Sequence, residues 1–281
     1  MKKVLITGYK GFIGKNFLEK APSDWQITTY EWGEEPPRIK GLDWVIHLGA
    51  ISSTTETDVF KITKQNINSS IEIFEECIKY DVNFQWSSSA SVYGNSTTFK
   101  ETDMCKPLNL YALSKYIFEE YVNKKFPIYS YDGDICNNIK YQGFRYFNVF
   151  GPHEEHKGSQ ASPIHNFTKQ AKEDKIIKIF EDSDVFSRDF IHVDKIIDTH
   201  IKIMESRENG IWNIGNGIST SFEKVAKTIA KQYDATIEFI DMPKNLKPHY
   251  QKYTCADITK LNKTLFEVSK TQLLQDFIIK P

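Results

Sequence analysis

The sequence predicts an α/β fold, a doubly wound parallel sheet with a smaller C-terminal domain. Three observations carry that expectation. Short apolar runs alternate with segments of helical periodicity. The first run, Val4 to Thr7, leads into the glycine-rich turn Gly8-Tyr9-Lys10-Gly11-Phe12-Ile13-Gly14. Further on, Tyr111-Ala112-Leu113-Ser114-Lys115 sets a phenol and an ammonium four residues apart, on one face of a helix.

The 281 residues suffice for one large domain or two small ones. A net charge of −1 gives no polyanion-binding surface, so no nucleic-acid partner is expected. The apolar run after Lys2-Lys3 is too short for a signal peptide, and no stretch is long enough to span a bilayer. A cytoplasmic protein without a membrane partner is therefore expected. The cysteines at 77, 105, 136 and 255 are scattered without a CxxC pair, which fits reduced thiols. His153, His156 and His165 lack the spacing of a metal site, so no metal is expected.

Taken in order, Val4 to Thr7 is a strand and Asn16 to Lys20 continues a helix. Gly8, Gly11 and Gly14 between them permit a tight turn and close approach of a pyrophosphate to the helix N-terminus. The pattern is Rossmann-like, and the ligand it implies is NAD or NADP. A second strand, Gln26 to Tyr30, ends in Glu31, whose carboxylate suits the ribose hydroxyls of NAD. Arg38 and Lys40 suit a 2′-phosphate instead, so both cofactors stay open. The segment around Glu34-Glu35-Pro36-Pro37 is too short for a complete crossover helix before the third strand, Asp43 to Ala50.

A helix follows around Ile67, Ile71, Phe74 and Ile78, with Asn66 near its start. Val82 to Trp86 is the next strand and runs into Ser87-Ser88-Ser89. Tyr129 to Asn138 reads as a surface hairpin or loop. Phe144 to Val149 is a further strand closed by Gly151-Pro152. Helices are expected at Ile164 to Lys172, Val193 to Met204 and Phe222 to Gln232, and a short strand at Ile237 to Ile240. Residues 1–151, with returning segments near 185–205, form the expected dinucleotide-binding domain, and 152–281 mainly the substrate-binding domain. Ligands of such sheets lie beyond the carboxyl ends of the strands, where Glu31, Gly49, Ser89 and Asn148 fall. In Tyr111 and Lys115, a nearby ammonium would favour the phenolate and bring it toward working range.

Ordered blocks along nearly the whole chain resemble the extended short-chain dehydrogenase/reductases that act on nucleotide sugars. They include His47 to Glu56, Ser88-Ser89-Ala90-Ser91-Val92-Tyr93-Gly94, Pro107 to Tyr111 and Phe144 to Pro152. Further blocks are His156-Lys157-Gly158-Ser159, Phe180-Glu181, Arg188-Asp189-Phe190, Trp212 to Gly215 and Tyr250-Gln251. Ser52-Ser53-Thr54-Thr55-Glu56 and His156-Lys157-Gly158-Ser159 resemble, more narrowly, the ADP-L-glycero-D-manno-heptose 6-epimerase family.

The resemblance implies roles. Tyr111 would be one acid/base and Lys157 a second. Ser89 would hydrogen-bond the reacting oxygen, and Lys115 would hold the nicotinamide ribose. Gly8, Gly11, Phe12, Ile13, Gly14, Glu31, Leu48, Gly49, Ala50, Ser52 and Asn66 would line the cofactor, one tightly bound molecule per subunit. Asn148, Ser159, Phe180, Glu181, Ser183, Arg188 and Tyr250 would meet the substrate, with Asn166 where the family places a histidine. The implied substrate is ADP-heptose or a related nucleotide sugar, and a homo-oligomer is implied. The family has a longer region after its second strand. Here it is cut to residues 31–42, so a missing strand-helix element and a more exposed adenosine pocket are expected. Alternatives are a 4-epimerase, dehydratase or reductase on another nucleotide sugar, and a non-catalytic NAD(P) sensor. Ser89-Ala90-Ser91 lacks the acidic pair of a 4,6-dehydratase, and a sensor has no need of Ser89, Tyr111 and Lys115.

Overall fold

In the first strand Val4 and Ile6 pack on one face and Leu5 on the other, so the sheet is buried on both sides. The computed structural model describes residues 1–126, 139–243 and 251–268. Tyr250 and the segment Tyr129 to Asn138 lie outside these.

The chain opens with β1 (Lys2–Thr7), α1 (Phe12–Lys20), β2 (Trp25–Tyr30) and β3 (Trp44–His47). It continues through α2 (Val59–Ile62), a π-helical segment at Thr63–Asn68, and α3 (Ser69–Lys79). Next come β4 (Asn83–Ser89), α4 (Leu110–Lys125), β5 (Tyr141–Tyr146) and β6 (Asn148–Phe150). The rest comprises α5 (Pro163–Glu173), β7 (Ile176–Phe180), β8 (Ser187–His192), α6 (Val193–Ile203), β9 (Gly210–Ile214), β10 (Ser219–Ser221), α7 (Phe222–Tyr233) and β11 (Thr236–Ile240). Residues 259–268 are helical.

The main sheet has the order β2-β1-β3-β4-β5-β9 and is parallel throughout. Phe74, Phe84, Trp86, Phe118 and Val122 pack with Leu5 and Val45 on the face covered by α3 and α4. Phe12, Phe17, Trp44, Ile46, Val193 and Ile197 fill the opposite face under α1 and α6. Each such fully buried Phe, Ile or Val contributes about 1.5–3 kcal/mol relative to exposure.

The shortening read from the sequence is visible in the topology. No helix or strand lies between Tyr30 and Trp44, and β2 is the edge strand. The chain passes from β2 across β1 to β3, so the strand order reverses around β1. A crevice opens at such a reversal, outside the carboxyl ends of the strands.

The expected strand Phe144 to Val149 is interrupted. Phe147 leaves the sheet to pack on Tyr93 and Phe99, and β6 pairs with β8 in a separate three-stranded sheet. Segment 187–192 therefore joins that small sheet, while α6 and β9 make the return to the main one. A parallel pair, β7 with β11, packs beneath α5 and α7 around Ile177, Ile179, Ala226 and Ile229.

Candidate active site

The crevice at the strand ends is a cavity of about 470 Å³. Gly8, Gly11, Phe12, Ile13, Gly14, Glu31, Leu48, Gly49, Ala50 and Ser52 all line it. The glycines are required by geometry. Gly8 has φ +70°, and a Cβ there would lie 2.5 Å from the backbone of Gly49. A Cβ on Gly14 would lie 2.3 Å from the carbonyl oxygen of Gly8. The first N–H groups of α1 have no helical acceptor, and Gly11 at the cap offers no side chain to accept from them. A backbone cradle at a helix N-terminus fits a pyrophosphate, so the residues present fit a dinucleotide.

Two carboxylates mark the edge beyond β2. Glu31 accepts from the Lys10 N–H at 3.2 Å, and Glu34 accepts from the Glu31 N–H at 2.8 Å. Glu34 also pairs with the Lys10 ammonium at 2.7 Å. Arg38 is exposed, and Lys40 turns toward the Tyr80 ring, 5.9 Å from its centre. Neither basic side chain is part of the cavity wall. Trp32 and residues 33–36 beside this edge are exposed.

Ser89, Tyr111 and Lys115 meet on the cavity floor. Ser89 ends β4, where its hydroxyl accepts from the Ser91 N–H at 3.2 Å and the Ser91 hydroxyl at 2.9 Å. Asn109 caps α4 by accepting from the Ala112 N–H at 2.8 Å, which fixes Tyr111 in the first turn. Lys115, one turn later, donates to the Ser87 carbonyl at 2.9 Å and the Ser87 hydroxyl at 3.2 Å. Burial pulls its ammonium down to about 8. Burial pushes the Tyr111 phenol up, and a hydrogen bond with Ser89 pulls it partly back. This corrects the expected direction: the Lys115 ammonium is engaged by Ser87, and Ser89 is the group that favours the phenolate.

Lys157 enters the same cavity from the loop after β6. Its ammonium lies 5.1 Å from the centre of the Phe12 ring and 3.9 Å from the Glu154 carboxylate. Burial lowers its affinity for a proton and Glu154 raises it. Tyr111 and Lys157, nearly fifty residues apart in sequence, thus share one cleft with Ser89.

Asn148 also lines the first cavity. A neighbouring cavity of about 740 Å³ is lined by Ser159, Asn166, Phe180 and Ser183, and shares Ala161 and Pro163 with the first. The buried Ser183 hydroxyl has no hydrogen-bond partner among the described residues. Arg188 lays its guanidinium over Phe222, a residue of that wall, and donates to the carbonyls of Ser187 and Gln251.

Asn66 and Glu181 stand apart. The Asn66 amide is spent on Ile51, accepting from its N–H at 2.8 Å and donating to its carbonyl at 3.0 Å, and it also donates to Ser114. It braces the loop after β3 from behind the cavity. Glu181 is exposed and belongs to neither cavity wall. His47 lies within 2.8 Å of Thr7 Oγ1 and 2.9 Å of Ser70 Oγ, and burial pushes it down to about 3, so it is a packed neutral ring. Sequence reasoning passed over Ser87 as the acceptor for Lys115. It also passed over Glu154, an acid three residues before Lys157 that a buried loop would need to pair.

Fold and cleft together define an α/β protein of the dinucleotide-binding class, with serine, tyrosine and lysine at the end of the cofactor crevice. The chain belongs to the NAD dependent epimerase/dehydratase family, whose model matches residues 4–215. A UDP-N-acetylglucosamine 4-epimerase from Methanobrevibacter ruminantium is similar at TM-score 0.82 and 24% identity, over 98% of this chain and 99% of that one. The ADP-L-glycero-D-manno-heptose-6-epimerase of Helicobacter pylori is similar at TM-score 0.80 and 22% identity, over 94% and 90%. A UDP-glucose 4-epimerase from Thermotoga maritima gives 0.79 and 24%, over 94% and 92%. At these identities the likeness is one of fold. Among the described residues, no helix is long and apolar enough to cross a membrane.

Proposed function

We propose that this protein is a nucleotide-sugar epimerase that inverts C6 of an ADP-glycero-manno-heptose. The observation that carries the reading is the amine of Lys157 in the cleft that holds Tyr111 and Ser89, where it can serve as a second proton-transfer group. An epimerase that returns hydride to the opposite face of a ketone handles the substrate in two poses, and two acid/base groups serve two poses. The ordered blocks around Ser52 and Lys157 support the same substrate class.

The glycine cradle, Glu31 and Lys115 would hold the dinucleotide. When bound, the nicotinamide supplies the redox half of the chemistry, accepting hydride from a sugar carbon and returning it. Tyr111 and Lys157 move the proton at the sugar oxygen, one removing it and the other restoring it. Ser89 hydrogen-bonds that oxygen and steadies the Tyr111 phenol. Asn148, Ser159, Asn166, Phe180, Ser183, Arg188 and Tyr250 would bind the nucleotide sugar. Glu31 and Glu34 repel a 2′-phosphate, which favours NAD over NADP. The reading includes the division into a cofactor part at 1–151 and a mainly substrate part at 152–281, a homo-oligomer, and a cytoplasmic location.

A second reading is a UDP-sugar 4-epimerase, favoured by the nearly end-to-end similarity to the Methanobrevibacter enzyme. There Lys157 would have no proton to move. Tyr111→Phe and Lys157→Met separate the two. Under the first reading each lowers kcat by about 10²-fold or more while the melting curve is kept. Full turnover in Lys157→Met favours the 4-epimerase, and full turnover in the double variant removes both.

A further inference from the structure

Glu154 is 0% exposed, yet it is a carboxylate in a loop. Its oxygens accept from the Gly151 N–H at 3.0 Å, the Ser162 N–H at 2.6 Å and the Ser162 hydroxyl at 2.8 Å. These bonds close residues 151–162 into one unit. They join its start, where the Asn16 side chain donates to the Pro152 carbonyl, to its end, where Ser162 caps α5. Lys157 sits at the middle of this unit. Its N–H donates to the Glu154 carbonyl at 2.9 Å, and its ammonium lies 3.9 Å from the Glu154 carboxylate. Gly158 follows at φ +52°, a left-handed turn that sends the chain back toward Ser162.

We propose that Glu154 is a positioning residue for Lys157: its buried carboxylate staples the loop that carries the lysine and is the counter-charge that faces the ammonium in the cleft. This inference deepens the reading of Lys157 as an acid/base group. Other titratable groups share the cavity: Glu31 from the end of β2, Tyr111 and Lys115 from α4, Tyr146 from β5, and His156 from the same loop. Phe12, from α1, meets the ammonium with an uncharged ring. Among the described residues, Glu154 is the carboxylate within 4 Å of Lys157. The Glu154 carboxylate raises the proton affinity of the Lys157 ammonium beside it and so offsets part of the cost of burying that charge.

The sign follows. Removing the negative charge makes the Lys157 ammonium release its proton more easily, so the free amine appears at lower pH. The test is acylation of Lys157 by acetic anhydride across a pH series, read as the labelled peptide by mass spectrometry on the intact, cofactor-loaded protein. Glu154→Gln is expected to lower the pH of half-labelling by about one to three units. Glu154→Asp keeps the charge on a shorter arm and is expected to lower it by less. Ser162→Ala removes one staple and keeps the charge, so it lowers the melting temperature and leaves the labelling pH within a few tenths of wild type. An unmoved labelling pH in folded Glu154→Gln overturns the proposal. Should that variant fail to fold, Glu154→Asp decides alone, a lowered pH supporting the proposal and an unmoved one overturning it. Labelling needs no sugar substrate. A shifted Lys157 in a chain that epimerises nothing supports this inference and removes the functional reading, and an unmoved Lys157 in an active epimerase does the reverse.

Discussion

The ammonium of Lys115, on the face of α4 that meets the sheet, donates to the carbonyl of Ser87 on β4 at 2.9 Å. Lys115 is 6% exposed, so this charge is held largely out of water. Burial moves it from 10.5 to about 8. Between those values the unfolded chain binds more protons than the folded one, so stability rises with pH across that window. Below about pH 8 the cost of the buried charge is present in full.

Replacing Lys115 by Met therefore stabilises the cofactor-free protein at pH 7, by on the order of 2 kcal/mol. The gain shrinks as pH approaches 10, because the wild-type lysine is by then neutral. Activity is lost in the same variant. Melting curves at pH 7 and pH 9.5 check the claim, and a less stable variant at pH 7 contradicts it.

Glu119 stands one turn beyond Lys115 and is 1% exposed at its side chain, against 5% for its partner Arg145. The pair is bonded through three contacts of 2.6 to 3.2 Å, and the Ser88 hydroxyl also donates to Glu119. This links α4 to the neighbouring strands β4 and β5, next to Ser89 in sequence. Glu119→Gln leaves the buried guanidinium unpaired and is expected to cost about 3–5 kcal/mol. Adding Arg145→Met recovers part of that loss. Chemical denaturation of both single variants and the double variant measures it, and strictly additive losses would mean that the pair is not coupled.

At the other end of the crevice, the Glu31 and Glu34 carboxylates make the edge beyond β2 negative. Glu31→Ser removes the carboxylate that lines the cavity. The ratio of NADP to NAD affinity is expected to rise about tenfold or more, equivalent to 1.4 kcal/mol of relieved repulsion. Titration calorimetry with both dinucleotides gives the ratio directly. An unchanged ratio would assign the preference to some other part of the edge.

Much of this was legible in the sequence because the signals are local. The GxxGxxG turn directly after an apolar strand defines its own backbone geometry, and Tyr111 with Lys115 needs nothing beyond helical spacing. The lost crossover after Glu31 could be read by counting residues. What escaped depends on tertiary partners. Nothing near Lys115 says that its ammonium will be taken by Ser87, so the direction of the Tyr111 shift was misjudged. Phe147 reads as a strand residue until Tyr93 and Phe99 offer it a pocket. Asn66 reads as a cleft residue until the π-helical turn directs its amide to Ile51. Glu154 looks like any loop acid before Gly151 and Ser162 close around it.

The central claim is the reaction itself. The most direct measurement incubates the purified protein with ADP-D-glycero-D-manno-heptose, without and then with added NAD, and follows the two C6 epimers by NMR. Parallel samples contain UDP-glucose and UDP-N-acetylglucosamine. The heptose is expected to reach an equilibrium mixture of C6 epimers with no net consumption of dinucleotide, and the hexoses to stay unchanged. An unchanged heptose beside an epimerised UDP-sugar would contradict it.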